Sequence, residues 1–220
     1  MKNPEKVLAK EQKQLAKLRK DKNKATYAAY PIILLVFLIL LRMLDEFTTN
    51  CGSSLQSSIV NEFFVIGQGM SFQEGLSAYG LATSPLTLLI VLATFAGVLS
   101  DKVGRKPILL ASGIGIAVGA LIIYLAPTFS TYLVGTCIMQ FFIAMDMHQL
   151  YLVEVAPEHK RATWQAYSSF FAQMAVVLIG VLRLMNTTDG QLAWRNIYLI
   201  PAIACIIVVV MLLLVVRETD

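Results

Sequence analysis

The sequence predicts an all-α fold, an integral membrane bundle of six transmembrane helices, and three observations support this prediction. Hydrophobic residues make up 57% of the chain and charged residues only 15%, whereas soluble domains are about half apolar and about a quarter charged. The apolar residues gather in blocks of about twenty, the length that a helix needs to cross a hydrocarbon core. Basic residues collect in alternate links between these blocks, as they do on the inner side of a membrane.

The six apolar blocks follow one another with short polar links between them. They span about residues 28–51, 76–99, 107–127, 131–154, 163–185 and 194–216. Apolar residues continue at helical spacing from Leu55 to Phe64, so the first helix can extend beyond its block. Backbone polar groups cannot stay unpaired in lipid, and each block must therefore be a helix.

Polar segments flank the six-helix domain, which we place at residues 27–217. Residues 1–26 form a basic tail with a thin stripe of three leucines. The tail either lies as a helix on an anionic inner leaflet or is a solvated segment that stays inside the cell. Residues 218–220 begin a polar loop.

The placement of basic residues predicts the orientation of the bundle. Of the 18 Lys and Arg residues, 15 fall in the tail, in the links after the second and fourth blocks, and after the sixth block. The positive-inside rule makes these regions cytoplasmic. We therefore expect a multi-pass protein of the cell membrane with both termini in the cytoplasm.

The link after the second block, "GVLSDKVGRKPILL", carries more than the positive charge that this rule requires. Gly97 permits close helix contact, and Gly104 permits a tight turn that bulkier residues resist. Asp101 lies at a helix end, where it can meet Arg105 or the positive N-terminus of another helix. The link is thus a candidate for a specific charged contact between helices.

This link resembles the G-x-L-a-D-r-x-G-r-k-x-x-l signature of the major facilitator superfamily. The matching residues are Gly97, Leu99, Asp101, Lys102, Gly104, Arg105, Lys106 and Leu109. A second stretch, "YLVEVAPEHKRA", resembles the end of helix four in the sugar porters of that superfamily. Its matching residues are Tyr151, Glu154, Pro157 and Arg161. A third stretch, "AWRNIYLIP", resembles the start of helix six.

The resemblance implies both an architecture and a function. Members of the family have two six-helix halves, each an inverted three-plus-three repeat, with the substrate between the halves. This chain would supply the N-terminal half and would need a second six-helix half as its partner. The implied function is secondary transport of a small polar or anionic solute, of the sugar or organic acid class, by alternating access with proton coupling. The link and Arg161 would hold the inner gate, with Glu154 paired to Arg105.

Two departures from the sugar porters leave the substrate open. Their helix-four arginine corresponds to Val134, and their sugar-contacting glutamine corresponds to Ser169. Gln173 lies one turn further on and is a candidate substrate contact. The resemblance also leaves open what one half does alone. The chain is a piece of a longer transporter, a half-size protein that pairs with itself, or a membrane scaffold that does not transport.

Ionisable residues inside the apolar blocks are the candidates for a substrate or proton site, because a charge in lipid is costly unless it is paired or lines water. Arg42, Asp45 and Glu46 lie within one helical turn of each other in the first block, and Asp146 and His148 lie in the fourth. Burial disfavours a charged carboxylate, so Asp45, Glu46 or Asp146 could accept a coupling proton.

Two other interpretations of these charges stay open. Arg42 and Glu46 could form an internally neutralised pair that only holds helices together. Alternatively, the first helix could end early and leave Asp45 and Glu46 at the membrane surface.

The composition excludes several other classes of function. The chain has two histidines and three cysteines without metal-binding spacing, so we expect neither a metal nor a cofactor. It has no Gly-rich phosphate loop or nucleophile motif, so we do not expect an enzyme. The expected partners are the lipid bilayer, a small solute, protons and a second half, with no nucleic acid.

Overall fold

The computed structural model of this chain describes residues 4–97, 103–188 and 191–215. Helices dominate these residues, and we number them in chain order. They are α1 (Pro4–Val60), α2 (Phe72–Thr83), α3 (Leu86–Gly97), α4 (Arg105–Tyr124), α5 (Phe129–Ile143), α6 (Met147–Val155), α7 (Arg161–Met185) and α8 (Trp194–Val215). Three short elements complete the list: a π-helix (Asn61–Ile66) after α1, a 3-10 turn (Glu158–Lys160), and a hairpin of β1 (Thr187–Thr188) with β2 (Gln191–Leu192).

These helices form the six predicted segments, two of which are interrupted. The second segment comprises α2 and α3, which are separated at Ser84 and Pro85 because proline cannot continue the hydrogen-bond ladder of a helix. The fourth comprises α5 and α6, which are separated at Asp146. Among the described residues, five segments are long and apolar enough to span a membrane. They cover Phe72–Ala93, Pro107–Tyr124, Phe129–Val155, Glu158–Met185 and Trp194–Leu214.

The first segment is longer than the other five and carries more charged residues, because α1 runs from Pro4 to Val60 and includes the basic tail. α1 continues without a break through the predicted boundary between tail and membrane domain, and that boundary stays a prediction. It also continues past Asp45 and Glu46 for more than three turns. The expectation that the helix could end early and leave these acids at its end is therefore wrong.

The helices pack as one bundle around two apolar clusters. α4 packs against α5 and α8, and α1 packs against α7 and α8. On α1, Leu41 is the last residue of one buried cluster and Phe47 the first of the other. In the fourth segment Ile143 belongs to one cluster and Met147 to the other. The break at Asp146 therefore lies at the level where the two clusters meet.

Close contact between α4 and α5 depends on two glycines. A Cβ atom on Gly119 would lie 2.7 Å from the Cβ of Met139 and 2.8 Å from the carbonyl oxygen of Gly135. A Cβ on Gly135 would lie 2.9 Å from the carbonyl oxygen of Gly119. Real Cβ atoms do not approach backbone this closely, so the two backbones touch only because both residues are glycine.

The two ends of the bundle differ in chemistry. One end carries the C-terminus of α3, the N-terminus of α4 and the 3-10 turn, and we call it the basic end. At the other end, which we call the aromatic end, rings from three segments pack together with centroids 4.7–6.1 Å apart. These rings belong to Phe63, Phe64, Phe129, Tyr132 and Trp194. Edge-to-face ring contacts of this kind stabilise a fold beyond simple area burial.

Candidate functional site

Five ionisable side chains meet where the two apolar clusters join, and we call them the charged cluster. α1 contributes Arg42, Asp45 and Glu46, because spacings of three and four residues place all three on one side of a helix. The fourth segment contributes Asp146 at its break and His148 in the first turn of α6. The candidate residues from two distant parts of the sequence thus form one site.

The guanidinium of Arg42 is the centre of the charged cluster. Its Nη1 lies 3.4 Å from Oδ2 of Asp45 and 3.6 Å from Oδ1 of Asp146. Its Nη2 lies 3.4 Å from Oε2 of Glu46. Nε2 of His148 lies 3.4 Å from Nη1 and 3.2 Å from Oδ1 of Asp146. The alternative of an isolated Arg42–Glu46 pair is incomplete, because Arg42 also contacts Asp146 and His148 of the fourth segment.

The break in the fourth segment gives Asp146 its position. Asp146 has φ 47° and ψ 31°. Within the described part of the chain, it is the only residue with positive φ that is not a glycine. This left-handed conformation costs most residues about 1–2 kcal/mol, and aspartate adopts it more readily than most. Its carbonyl accepts hydrogen bonds from the backbone N–H groups of Gln149 and Leu150, which begins α6. Interrupted helices at mid-membrane depth are typical of substrate and ion sites in transporters.

Burial differs sharply among the members of the charged cluster. Asp45 is 6% exposed and His148 is 8% exposed, whereas the side chain of Asp146 is 51% exposed. Oδ1 of Asp45 is fully buried and accepts no hydrogen bond from the described residues. The cluster therefore runs from a buried carboxyl group with one unpartnered oxygen to an accessible carboxylate.

Three atoms of the charged cluster have a spacing that a metal ion could use. One ligand atom each from Asp45, Asp146 and His148 lies within 4.8 Å of the others. Nη1 of Arg42, however, is 3.4–3.6 Å from these same three groups and already places a positive charge among them. A cation in this space would be repelled, so the geometry does not favour a metal centre.

The gating candidates among the described residues lie at the basic end. Gly97 is the last residue of α3, and Gly104 precedes α4 with φ 100°, a conformation that favours glycine. Asp101 lies outside the described residues, as do the side chains of Arg105 and Lys106 at the start of α4. Glu154 is exposed in the last turn of α6, and Arg161 is exposed at the start of α7. The predicted pairing of Glu154 with Arg105 therefore stays a prediction.

Gln173 lies apart from the charged cluster, on α7. The buried face of this helix is formed by Trp164, Ser168, Ala172, Ala175 and Ile179. At 100° per residue, Gln173 is on nearly the opposite side, and its side chain is exposed. Its role as a substrate contact stays a prediction.

A second polar network, which sequence reasoning missed, lies at the aromatic end. Glu62 accepts a hydrogen bond from Nε1 of Trp194 at 2.7 Å and forms an ion pair with Arg195. Arg195 also donates a hydrogen bond of 2.8 Å to the carbonyl oxygen of Ala126, and its guanidinium lies 4.7 Å from the ring centre of Trp194. The network joins the first, third and sixth segments. The Trp-Arg pair was visible in the sequence, but its partner Glu62 is more than 130 residues away.

The fold and the charged cluster define the class of this protein as a helical membrane bundle with a polar site at an interrupted helix. Comparison with known proteins identifies the family. The sequence profile of the Major Facilitator Superfamily matches residues 35–220, and the chain belongs to this family. Its bundle corresponds to the N-terminal six-helix half of the family's fold, as the sequence motifs predicted.

Two relatives in sequence are named for transport. YwtG of Bacillus subtilis (strain 168), named as a metabolite transport protein, is 28% identical over 131 residues, which cover 57% of this chain and 28% of that protein. D-xylose-proton symporter-like 2 of Arabidopsis thaliana is 30% identical over 105 residues, which cover 46% of this chain and 20% of that protein. The chain thus spans less than a third of either relative.

Solved structures share the fold of this chain. The proton:xylose symporter XylE, bound to 6-bromo-6-deoxy-D-glucose, aligns with a TM-score of 0.73 and 19% identity over 87% of this chain and 46% of that one. A bacterial homologue of the human lysosomal transporter Spinster aligns with a TM-score of 0.71 and 19% identity, over 87% of this chain and 45% of that one. At this identity the likeness shows the fold alone.

Family membership settles two sequence predictions. The chain is an integral membrane protein, because the family's members lie in the bilayer and five of its segments can span one. The related proteins are transporters and not enzymes, as the absence of catalytic motifs had indicated.

Proposed function

We propose that this chain is half of a secondary transporter that moves a small polar solute by alternating access, coupled to protons. One observation carries the proposal: an accessible charged cluster lies at mid-depth in the bundle, where a helix is interrupted. Ionisable side chains inside a membrane are costly and mark substrate or ion pathways. A purely structural ion pair would not require the left-handed break that brings Asp146 to Arg42.

Asp45 is the proposed proton acceptor. One oxygen of its carboxyl group faces Arg42 and His148, while the buried Oδ1 has no donor among the described residues. A buried, charged carboxylate is unfavourable when one of its oxygens accepts no hydrogen bond. Protonation of Asp45 removes this charge and therefore the cost of burying it. Glu46 and Asp146 are more exposed, so water can stabilise their charged forms.

The proposed cargo is a small polyhydroxylated solute, with sugars as the leading class. Support comes from the relatives that are named for xylose or metabolite transport. Polar side chains recur along α1 toward the aromatic end, where Glu46, Asn50 and Ser53 share the side of the helix that carries Arg42. They would line the path of such a solute.

A second six-helix half is the proposed partner. The aligned structures are about twice the length of this chain, and the cavity of the family lies between its halves. In the proposed arrangement both termini are cytoplasmic, the protein resides in the cell membrane, and the 97–106 link at the basic end closes the inner gate. Native mass measurement of the protein from membranes checks this arrangement. A lone six-helix monomer would contradict it.

The transport proposal is tested by proton movement that a solute drives. Inverted membrane vesicles from cells that express the protein are loaded with a pH-sensitive dye, and D-xylose, D-glucose and D-glucosamine are added in turn. We expect at least one of these solutes to move protons across the membrane. Vesicles without the protein serve as the control. If none of the solutes moves protons above that control, the coupled transport proposal fails.

A further inference from the structure

The most accessible side chain of the charged cluster is a carboxylate, which accepts hydrogen bonds. It belongs to Asp146, whose side chain is 51% exposed, and Arg42 and Glu46 follow at 21% each. Asp45 and His148 lie beneath them. A solute that enters from the open side therefore meets the carboxylate of Asp146 first.

The guanidinium of Arg42 is already engaged. Nη1 faces Asp45, Asp146 and His148, and Nη2 faces Glu46, all at 3.4–3.6 Å. An anionic cargo would have to compete with three carboxylates of this chain for one cation. The geometry therefore argues against Arg42 as the residue that holds an anionic cargo.

The neighbouring polar residues of α1 have also committed their donors. The side-chain amide of Asn50 donates to the carbonyl oxygen of Glu46 at 2.8 Å and to its Oε1 at 3.1 Å. The hydroxyl group of Ser53 donates to the carbonyl oxygen of Asn50 at 3.1 Å. Their remaining capacity is the amide oxygen of Asn50 and the hydroxyl oxygen of Ser53, both acceptors.

The net formal charge of the charged cluster also argues against an anionic cargo. Three carboxylates surround one guanidinium, which leaves an excess of two negative charges when His148 is neutral. A site that closes around its cargo must approach neutrality, because uncompensated charge is costly away from water. One proton on Asp45 supplies one positive charge. A second positive charge on the cargo balances the site.

We propose that the charged cluster binds an amine-bearing polyol, an amino sugar, in preference to a neutral or acidic sugar. This inference rests on the proposed transport function and narrows its cargo. The ammonium group would lie against Asp146 and Glu46, and the hydroxyl groups would donate to the acceptor oxygens along α1. An ion-paired hydrogen bond of this kind favours the cation by about tenfold in affinity.

Three sugars with one carbon framework provide a matched test of charge. Equilibrium binding of radiolabelled D-glucosamine, D-glucose and D-glucuronate is measured on the protein in lipid nanodiscs, at a pH where the amine is protonated. We expect D-glucosamine to bind about tenfold more tightly than D-glucose and D-glucuronate to bind most weakly. Equal or tighter binding of D-glucose or D-glucuronate overturns the inference, as does binding of none of the three.

Three variants show whether the preference arises at this site. Asp146→Asn removes the accessible charge and keeps a residue that tolerates the left-handed backbone, and it should lose most of the preference for D-glucosamine. Glu158→Gln, an exposed acid on the 3-10 turn, should keep that preference. If Asp146→Asn and Glu46→Gln both keep the preference for D-glucosamine, that preference arises outside the charged cluster. Proton movement with D-glucose and not with D-glucosamine would reject the inference and leave the transport proposal intact.

Discussion

Arg42 and Asp146 lie 3.6 Å apart although 104 positions separate them in the sequence. This contact joins the middle of the first segment to the break in the fourth. It also brings His148 within 3.4 Å of the same guanidinium. The charged cluster depends on this approach of two segments.

Replacement of Asp45 by asparagine should abolish proton coupling. The substitution keeps the size and hydrogen-bonding capacity of the buried side chain and removes its ability to take a proton. We expect the variant to bind its solute within about threefold of the parent, since Arg42 and the exposed acids remain. The pH-sensitive dye in the vesicle assay should then report no solute-driven proton movement.

The control for this prediction is an acid outside the charged cluster. Glu158→Gln removes an exposed carboxylate from the 3-10 turn and should leave proton movement unchanged. Full coupling in the Asp45→Asn protein would assign the proton to another group and refute the role proposed for Asp45.

The backbone at Asp146 should make a substitution series diagnostic. Asp146→Ala places a residue that disfavours left-handed conformation at φ 47° and should lower the free energy of unfolding by about 1 kcal/mol. Asp146→Asn should be close to the parent in stability, because asparagine tolerates this conformation. Thermal unfolding in detergent, followed by tryptophan fluorescence, compares the variants. Equal stability of the alanine and asparagine variants would show that the break relaxes when the carboxylate is lost.

The network at the aromatic end should contribute to stability without contributing to coupling. Glu62→Gln leaves an acceptor for Nε1 of Trp194 and removes the charge that faces Arg195, so a loss of about 1 kcal/mol is expected. Glu62→Ala also removes the acceptor and should cost about 2 kcal/mol. A loss of about 1 kcal/mol lowers the Tm of a protein of this size by about 2–4 °C.

The order of the two Glu62 variants is the measurable point. We expect the parent to have the highest Tm, Glu62→Gln a lower Tm and Glu62→Ala the lowest. Solute-driven proton movement should be retained in any variant that folds. If Glu62→Ala has the same Tm as the parent, the network of Glu62, Trp194 and Arg195 does not contribute to the stability of the bundle.

Added volume at the contact between α4 and α5 should destabilise the fold. The Cβ atom of Gly119→Ala would lie 2.7 Å from the Cβ of Met139 and would force the two helices apart. We expect a loss of about 1–3 kcal/mol, as for other overpacked contacts. Thermal unfolding of the purified protein measures this loss.

Gly180→Ala is a matched control within the same bundle. No atom lies within 4 Å of a Cβ built at this position of α7, so the substitution should be neutral or slightly stabilising. If Gly119→Ala and Gly180→Ala unfold at the same temperature, the contact between α4 and α5 accommodates the added Cβ atom without a loss of stability, and the prediction is wrong.

Much of the fold could be predicted from the sequence, because lipid imposes strong rules on length and polarity. The five later segments begin and end within about four residues of their predicted bounds. The break in the fourth segment could not be predicted, since "FFIAMDMHQL" contains no proline or glycine that would mark it. The extension of the first helix past Cys51 could be predicted, because the apolar residues from Leu55 to Phe64 keep helical spacing, and the structure continues α1 to Val60 and a π-helix to Ile66.

The sequence by itself determined that this protein is a membrane bundle of the Major Facilitator Superfamily, and it predicted which ionisable residues lie within apolar segments. Apolar length and the pattern of the 97–110 link are local properties, so they can be recognised in a linear chain. Tertiary structure alone decided that Arg42 also faces Asp146 and His148, and that Glu62 pairs with Arg195. These contacts depend on how segments more than a hundred residues apart pack against each other, and local spacing carries no information about that packing.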